Sequence, residues 1–198
     1  MAEQNKNDIR EALKEAAILI IAEYGLEGVT TKKLTAVAKT KNEAYIYRLF
    51  DNKHDLLRKM FDMLDHELVS AFESSLDIMR DESYSREERS RMIFRRLWRF
   101  MLGDKKRCLA FIQYYYSPLF EKYSAEKHME LYMPLADRFG NMFKPGYNMW
   151  RLMNYVLDVI LTMAIKVFRG EIEDTPEVEE KTFLLIYRAL YPYLIWSE

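Results

Sequence analysis

The sequence predicts an all-α protein of about nine helices. Three observations carry that expectation. Only six glycines and five prolines punctuate 198 residues, while Leu, Met, Glu, Lys, Arg and Ala, all helix formers, are plentiful. Apolar residues recur at three- and four-residue steps along most of the chain, and no stretch alternates as a strand would. A hydrophobic content of 49% is enough for a real core and disfavours disorder. The length suits one domain, or a small domain joined to a larger one.

Ile9, Leu13, Ala16, Ala17, Ile20, Ile21 and Tyr24 mark the apolar face of an opening amphipathic helix, and Gly25 before Leu26 marks its left-handed cap. Thr30 or Thr31 caps a short second helix over KKLTAVAK, with Leu34, Val37 and Ala38 on its buried side. After a polar turn, a third helix runs through EAYIYRLF. Thr40 with Glu43 fits a capping box there, and Asn42 is a rival cap. Ile46, Leu49 and Phe50 form its inner face, which turns Glu43, Ala44, Tyr45, Tyr47 and Arg48 outward.

Asn52 with Asp55 caps a fourth helix, expected to run unbroken from Lys53 to Met79. Ser85 and Glu88 form a capping box before REERSRMIFRRLWRFML. One helix is expected through DKKRCLAFIQYYYSPLF, and another through SAEKHMELYMPLADRFGNMF, where Pro134 predicts a kink. Pro145 and Gly146 separate these from a helix over 149–168. Thr175, with Pro176 in the first helical position, opens the last helix, which runs through YRALYPYLIW.

The formal net charge of −1 conceals an uneven distribution. Residues 28–60 hold eight bases against three acids, a local +5, whereas residues 1–27 sum to −3. A basic patch on a mildly acidic chain points to an anionic partner at that patch. Cys108 has no second cysteine to pair with, reads as a buried small residue, and fits a reducing cytoplasm, with no leader sequence at the start. The apolar stretch 149–168 carries Arg151, Asp158 and Lys166, which argues for a buried helix and against a membrane span. His54, His66 and His128 lack metal-ligand spacing, and neither a glycine-rich phosphate loop nor a Gly-x-Ser-x-Gly motif occurs. No enzyme, metal or cofactor is expected.

Two short helices joined by a turn, the second carrying outward polar groups, match a helix-turn-helix. A major groove about 12 Å wide admits one such helix, whose first side chains meet base edges while neighbours hold phosphates. Thr30, Thr31 and Lys53, at helix starts, suit phosphates. Asn42 and Tyr45 can meet bases, Tyr47 can donate its hydroxyl to the backbone, and Lys41 adds charge. Residues 9–57 resemble the N-terminal domain of the TetR family of bacterial transcriptional regulators. The resemblance rests on Gly25, Thr30, Thr31, Leu34 and Ala38, followed by the signature Tyr47, Phe50, Lys53 and Leu56. Two departures accompany it: Lys39, Thr40 and Lys41 occupy the turn where the family has a glycine, and the chain from Leu34 to Tyr47 is one residue longer. Set from Tyr47, the register gives the cap to Asn42; set from Thr40, the helix begins two residues earlier. Glu43 either closes the capping box or accepts a bond from a cytosine amino group.

The resemblance implies a DNA-binding domain over residues 1–52 and an effector-binding and dimerisation domain over 53–198. It implies a homodimer on a palindromic double-stranded operator, more in the manner of a repressor than an activator. An apolar or aromatic small molecule is the expected effector. Trp98, Met101, Phe111, Tyr114, Tyr115 and Tyr132 form an aromatic middle of the kind that lines such a pocket. Val156, Ile160, Met163, Ile186 and Leu190 lie on the broad apolar faces of the last two helices and are the expected dimer interface. A helical dimer of the same ancestry whose DNA contacts have drifted is the alternative, kept open by the missing turn glycine.

Overall fold

The computed structural model describes residues 2–40, 42–140 and 143–195. Among these residues lie eleven α-helices and two 3-10 turns, and the one extended pairing is a single antiparallel bridge between Phe143 and Leu194. The all-α expectation holds. The count exceeds nine because two long expected helices are broken.

The first break follows α4 (Lys53–Glu73), which was expected to continue to Met79. Ser74 and Ser75 both turn their hydroxyls back to the carbonyl of Ala71, at 2.8 and 3.2 Å. Such bonds compete with the helical ladder, and α5 (Leu76–Arg80) restarts beyond them. The second break separates α7 (Lys105–Tyr115) from α8 (Pro118–Tyr123), where Pro118 has no N–H to continue the ladder. Pro134, by contrast, sits inside α9 (Ala125–Gly140) without ending it.

The chain forms two compact units, Met1–His66 with Lys105–His128, and Glu67–Asp104 with Met129–Glu198. In the first unit α1 (Ala2–Tyr24) is the organising element, packing against α2 (Thr31–Val37), α3 (Ala44–Leu49) and α7. Leu13, Ala17 and Ile21 of α1 are completely buried, as are Leu34 of α2 and Ile46 of α3. Gln113 of α7 donates to the carbonyl of Ile21 at 3.0 Å, and Arg107 pairs with Glu15. Gly25 ends α1 with φ 76° and ψ 172°, a region that only glycine enters readily.

In the second unit α6 (Arg86–Gly103) packs against α10 (Met149–Phe168) and α11 (Pro176–Leu190). The Ser85–Glu88 capping box opens α6, and Thr175 caps α11 with Pro176 behind it, both as the sequence implies.

The turn between α2 and α3 resolves the missing glycine. Thr40 N–H reaches the Thr35 carbonyl at 3.0 Å and Lys39 N–H the Ala36 carbonyl at 3.3 Å, the two bonds of a Schellman cap. That cap needs one left-handed residue, and Lys39 takes it with φ 53°. A side chain there costs about 1 kcal/mol that glycine avoids. Lys39→Gly should therefore raise the unfolding free energy by about 1 kcal/mol, read as a higher urea midpoint at unchanged slope. An unchanged or lower midpoint would show that the turn stores no strain.

Asp55 near the start of α4 collects Arg58 at 2.7 Å, Lys59 at 2.9 Å and the Asp51 N–H at 3.2 Å. Partial burial opposes its ionisation, but the Lys59, Arg58 and Asp51 bonds together outweigh burial and hold its pKa below the usual 3.8. A depressed carboxylate contributes stability that is complete above its unfolded pKa and is lost as pH falls through the folded value. Urea midpoints measured from pH 5 down to pH 2 should therefore fall more gently for Asp55→Asn than for the wild type. Parallel curves would remove Asp55 from the acid-labile groups.

Candidate nucleic-acid interface and apolar cavity

The third helix begins with a cap that settles one of the open alternatives. Asn42 Oδ1 accepts the Ala44 N–H at 2.9 Å, so Asn42 closes the start of α3. The rival capping box does not form: Thr40 Oγ1 is buried without a bond, and Glu43 makes no capping contact. Thr40 is held in the Schellman cap of α2, which removes it from the start of α3.

From this start, Ile46 and Leu49 point into the core while Asn42, Glu43, Ala44, Tyr47 and Arg48 are exposed. Tyr47 stands 63% exposed. Tyr45 is half-buried, with the Arg48 guanidinium 5.9 Å above its ring. The outward set predicted for α3 is thus outward, with Tyr45 partly shielded.

Thr30 is the N-cap of α2, its hydroxyl oxygen accepting the Lys33 N–H at 3.2 Å. An oxygen used this way still has its own proton to donate. Thr31 is the half-buried first residue of α2. Lys53, half-buried at the first position of α4, donates to the Val29 carbonyl at 3.2 Å. One of its three ammonium protons is therefore committed within the protein. Lys41 lies outside the described residues.

The basic patch is narrower than its sequence count. Arg58 and Lys59 are neutralised by Asp55, and Arg58 also by Asp62 at 3.2 Å. Among the described residues, the exposed bases of the region are Lys32, Lys33, Lys39 and Arg48, on or between α2 and α3.

The second unit contains an apolar cavity of about 150 Å³. Ile93, Phe94 and Leu97 of α6 wall one side, Leu152, Met153 and Val156 of α10 another, and Phe183, Ile186 and Leu190 of α11 a third. Phe143 and Leu194, the bridged pair, also border it. Its polar groups are the hydroxyls of Ser90 and Tyr187. Burial pushes the Tyr187 phenol up, with the Glu87 carboxylate adding to the effect, so the phenol keeps its proton.

None of the six residues expected to line a pocket borders this cavity. Phe111, Tyr114 and Tyr115 belong to the first unit, where their rings pack with Phe61, Phe120 and His128. Trp98, Met101 and Tyr132 belong to the second unit and are buried. Trp98 packs on Phe94 and bonds Asp174 at 3.1 Å, and Tyr132 packs on Phe72. The cavity uses the last two helices, whose apolar faces the sequence assigned to a partner chain. Val156, Ile186 and Leu190 line it, and Ile160 is buried inside the chain. Met163 is half-buried, and the exposed large apolar residues of these helices are Tyr155 at 37% and Leu185 at 57%.

A buried pair in the first unit had no sequence signal. His128 Nδ1 lies 2.8 Å from Asp65 Oδ2, both side chains almost wholly enclosed, with Phe61, Tyr115 and Phe120 around the imidazole. The partners are 63 residues apart in the chain. The adjacent candidate, His66 with Asp62, meets only through the Asp62 carbonyl, at 2.6 Å. Among the described residues no group of three or more His, Cys, Asp or Glu could hold a metal, and no helix is long and apolar enough to cross a membrane.

No family model and no curated protein matches the sequence. Solved structures do match, over nearly the whole chain. A TetR family transcription regulator from Marinobacter aquaeolei VT8 is 18% identical, covers 94% of this chain and 97% of its own, and has a TM-score of 0.76. A second, described as a putative TetR family regulator from Shewanella sp. PV-4, is 15% identical over 95% of this chain and 99% of its own, also at 0.76. The transcriptional regulator FadR from Bacillus subtilis, in complex with stearoyl-CoA, is 17% identical over 89% and 96%, at 0.69. Over nearly its full length, the chain has the fold of the TetR family of transcription regulators.

Proposed function

We propose that this protein is a TetR family transcriptional regulator, a repressor, whose dimer grips a palindromic operator with paired α3 helices. The observation that carries this reading is the exposed face of α3. A tyrosine 63% exposed beside an exposed carboxylate and an arginine, over a buried Ile46 and Leu49, is a surface held ready for a partner. Lys32, Lys33 and Lys39 flank it and give that partner a negative charge. Thr30, Thr31, Lys41, Tyr47 and Lys53 hold phosphates in this reading, and Asn42 and Tyr45 sit toward bases.

The alternative of a drifted head drew its support from the missing turn glycine. Lys39 adopts the conformation that a glycine would supply, so the turn no longer argues for it.

Control of the head is assigned to the cavity of the second unit. An engineered cavity of ~150 Å³ with walls of Leu, Ile and Phe binds benzene, and Met149 and Met153 give this one adaptable walls. An apolar or aromatic effector suits it. The Bacillus subtilis neighbour, which holds an acyl thioester, supports a ligand site in this fold. The effector acts by shifting the dimer between two head spacings, one of which fits half-sites about 34 Å apart.

The direct test is fluorescence-anisotropy titration against DNA from upstream of the protein's own gene, beside a scrambled duplex. Preference of roughly 10³-fold or more is expected for the regulator. Tyr47→Phe should weaken binding without shifting the melting temperature. Lys53→Ala should weaken binding to all sequences and flatten the log–log salt slope by about one. Equal affinity for both duplexes across the gene's whole upstream region, with no loss in either variant, would sink the reading.

The dimer is assigned to the remaining exposed apolar side chains of α10 and α11. Leu185→Asp places a charge on that face without touching the cavity, and should convert a dimer to monomer in sedimentation velocity. A variant that still sediments as a dimer would move the interface elsewhere.

A further inference from the structure

We infer that Glu43 is a base-reading residue, selecting a cytosine in each half-site and discouraging attachment to DNA that lacks it. This rests on the reading of α3 as the helix that enters the major groove.

A carboxylate at the start of a groove-entering helix needs a reason. The ordinary reason would be helix capping, and the structure removes it. Asn42 Oδ1 already holds the Ala44 N–H, Glu43 makes no capping bond, and among the described residues no ion pair engages its carboxylate. Nor is it part of the core: Glu43 is exposed, next to an exposed Ala44 whose single methyl leaves the approach to it open. Lys32, Lys33, Lys39 and Arg48, which supply attraction to phosphate, flank this acid on α2, the turn and α3.

Facing phosphate, a carboxylate is repelled, because it can only accept hydrogen bonds. Facing a major-groove edge, it finds a donor in the cytosine amino group, the pairing that acidic side chains make. The adenine amino group is the other donor there, but adenine sets the N7 acceptor beside it, where a second carboxylate oxygen has nothing to accept. Guanine offers only acceptors, and thymine an acceptor and a methyl. Cytosine is therefore the base that suits Glu43 best: adenine bonds one oxygen but sets N7 against the other, and guanine and thymine leave the desolvated carboxylate unpaired.

Exposure and the absence of a partner among the described residues also make the test clean, since Glu43→Gln keeps the shape and breaks no described side-chain bond. Wild type and variant would each be put through selection from a random duplex library, then titrated on the recovered sites. The wild type should recover a half-site with one near-invariant cytosine, and changing that base should weaken it roughly tenfold or more. In Glu43→Gln that position should shift toward adenine, which presents the donor and acceptor that an amide pairs with. The variant should also bind a scrambled duplex more tightly at low salt. Recovery of the same half-site with the same base frequencies by both proteins would overturn the inference while leaving the DNA-binding reading intact. Recovery of no half-site by the wild type would overturn both. Circular-dichroism melts of the two proteins should coincide, which excludes a folding defect as the cause of a changed motif.

Discussion

A helix of six residues is not stable in water, because the first turn fixes several dihedrals for a single hydrogen bond. The exposed face on α3 therefore depends on how its other face is buried. Ile46 has no accessible surface and Leu49 almost none, and α3 rests on α1. Val29 is likewise buried, and its carbonyl receives the Lys53 ammonium, which fixes the start of α4 to the entry of α2. With both ends of the α2–α3 segment anchored, the turn between them has little freedom. It closes even with a lysine in the left-handed position. The strain at Lys39 is small beside the burial of Leu34 and Ile46, each worth about 1.5–3 kcal/mol.

The same constraint divides the work of the lysines and arginines. Lys53 carries a structural bond, and Arg58 and Lys59 serve the acids of their own helix. Lys32, Lys33, Lys39 and Arg48 remain solvated on the α2–α3 face. A sequence count treats all eight bases alike. The structure shows that charge available to a partner is set by which acids lie three or four residues away on the same helix.

Local features were legible where they depend on neighbours in sequence. The caps by Thr30, Asn52, Ser85 and Thr175, the stop at Gly25 and the inward set of α3 all follow from spacings of two to four residues. What escaped were features set by distant partners or by competition. His128 and Asp65 are paired across 63 residues. The breaks at Ser74 and Pro118 depend on hydroxyl competition and on a missing N–H, signals weaker than the apolar periodicity that ran past them. The cavity was sought among aromatic residues of the middle helices because rings are the usual lining of ligand sites. Those rings pack on one another, Phe61 with Phe111 and Tyr114, and Phe111 with Tyr115.

An empty volume arises where large residues fail to interdigitate, and periodicity says only which face a residue is on. The faces of α10 and α11 were correctly read as broad and apolar, but breadth has two uses. Within one chain, part of each face meets α6 across the cavity, through Val156, Ile186 and Leu190. The part left over, Tyr155 and Leu185, is what a second chain would find. A face that does both links the two events physically. Under the proposed dimer, a ligand that displaced Ile186 or Leu190 would act on the same helix that carries Leu185, which gives occupancy of the cavity a direct route to the geometry of the pair.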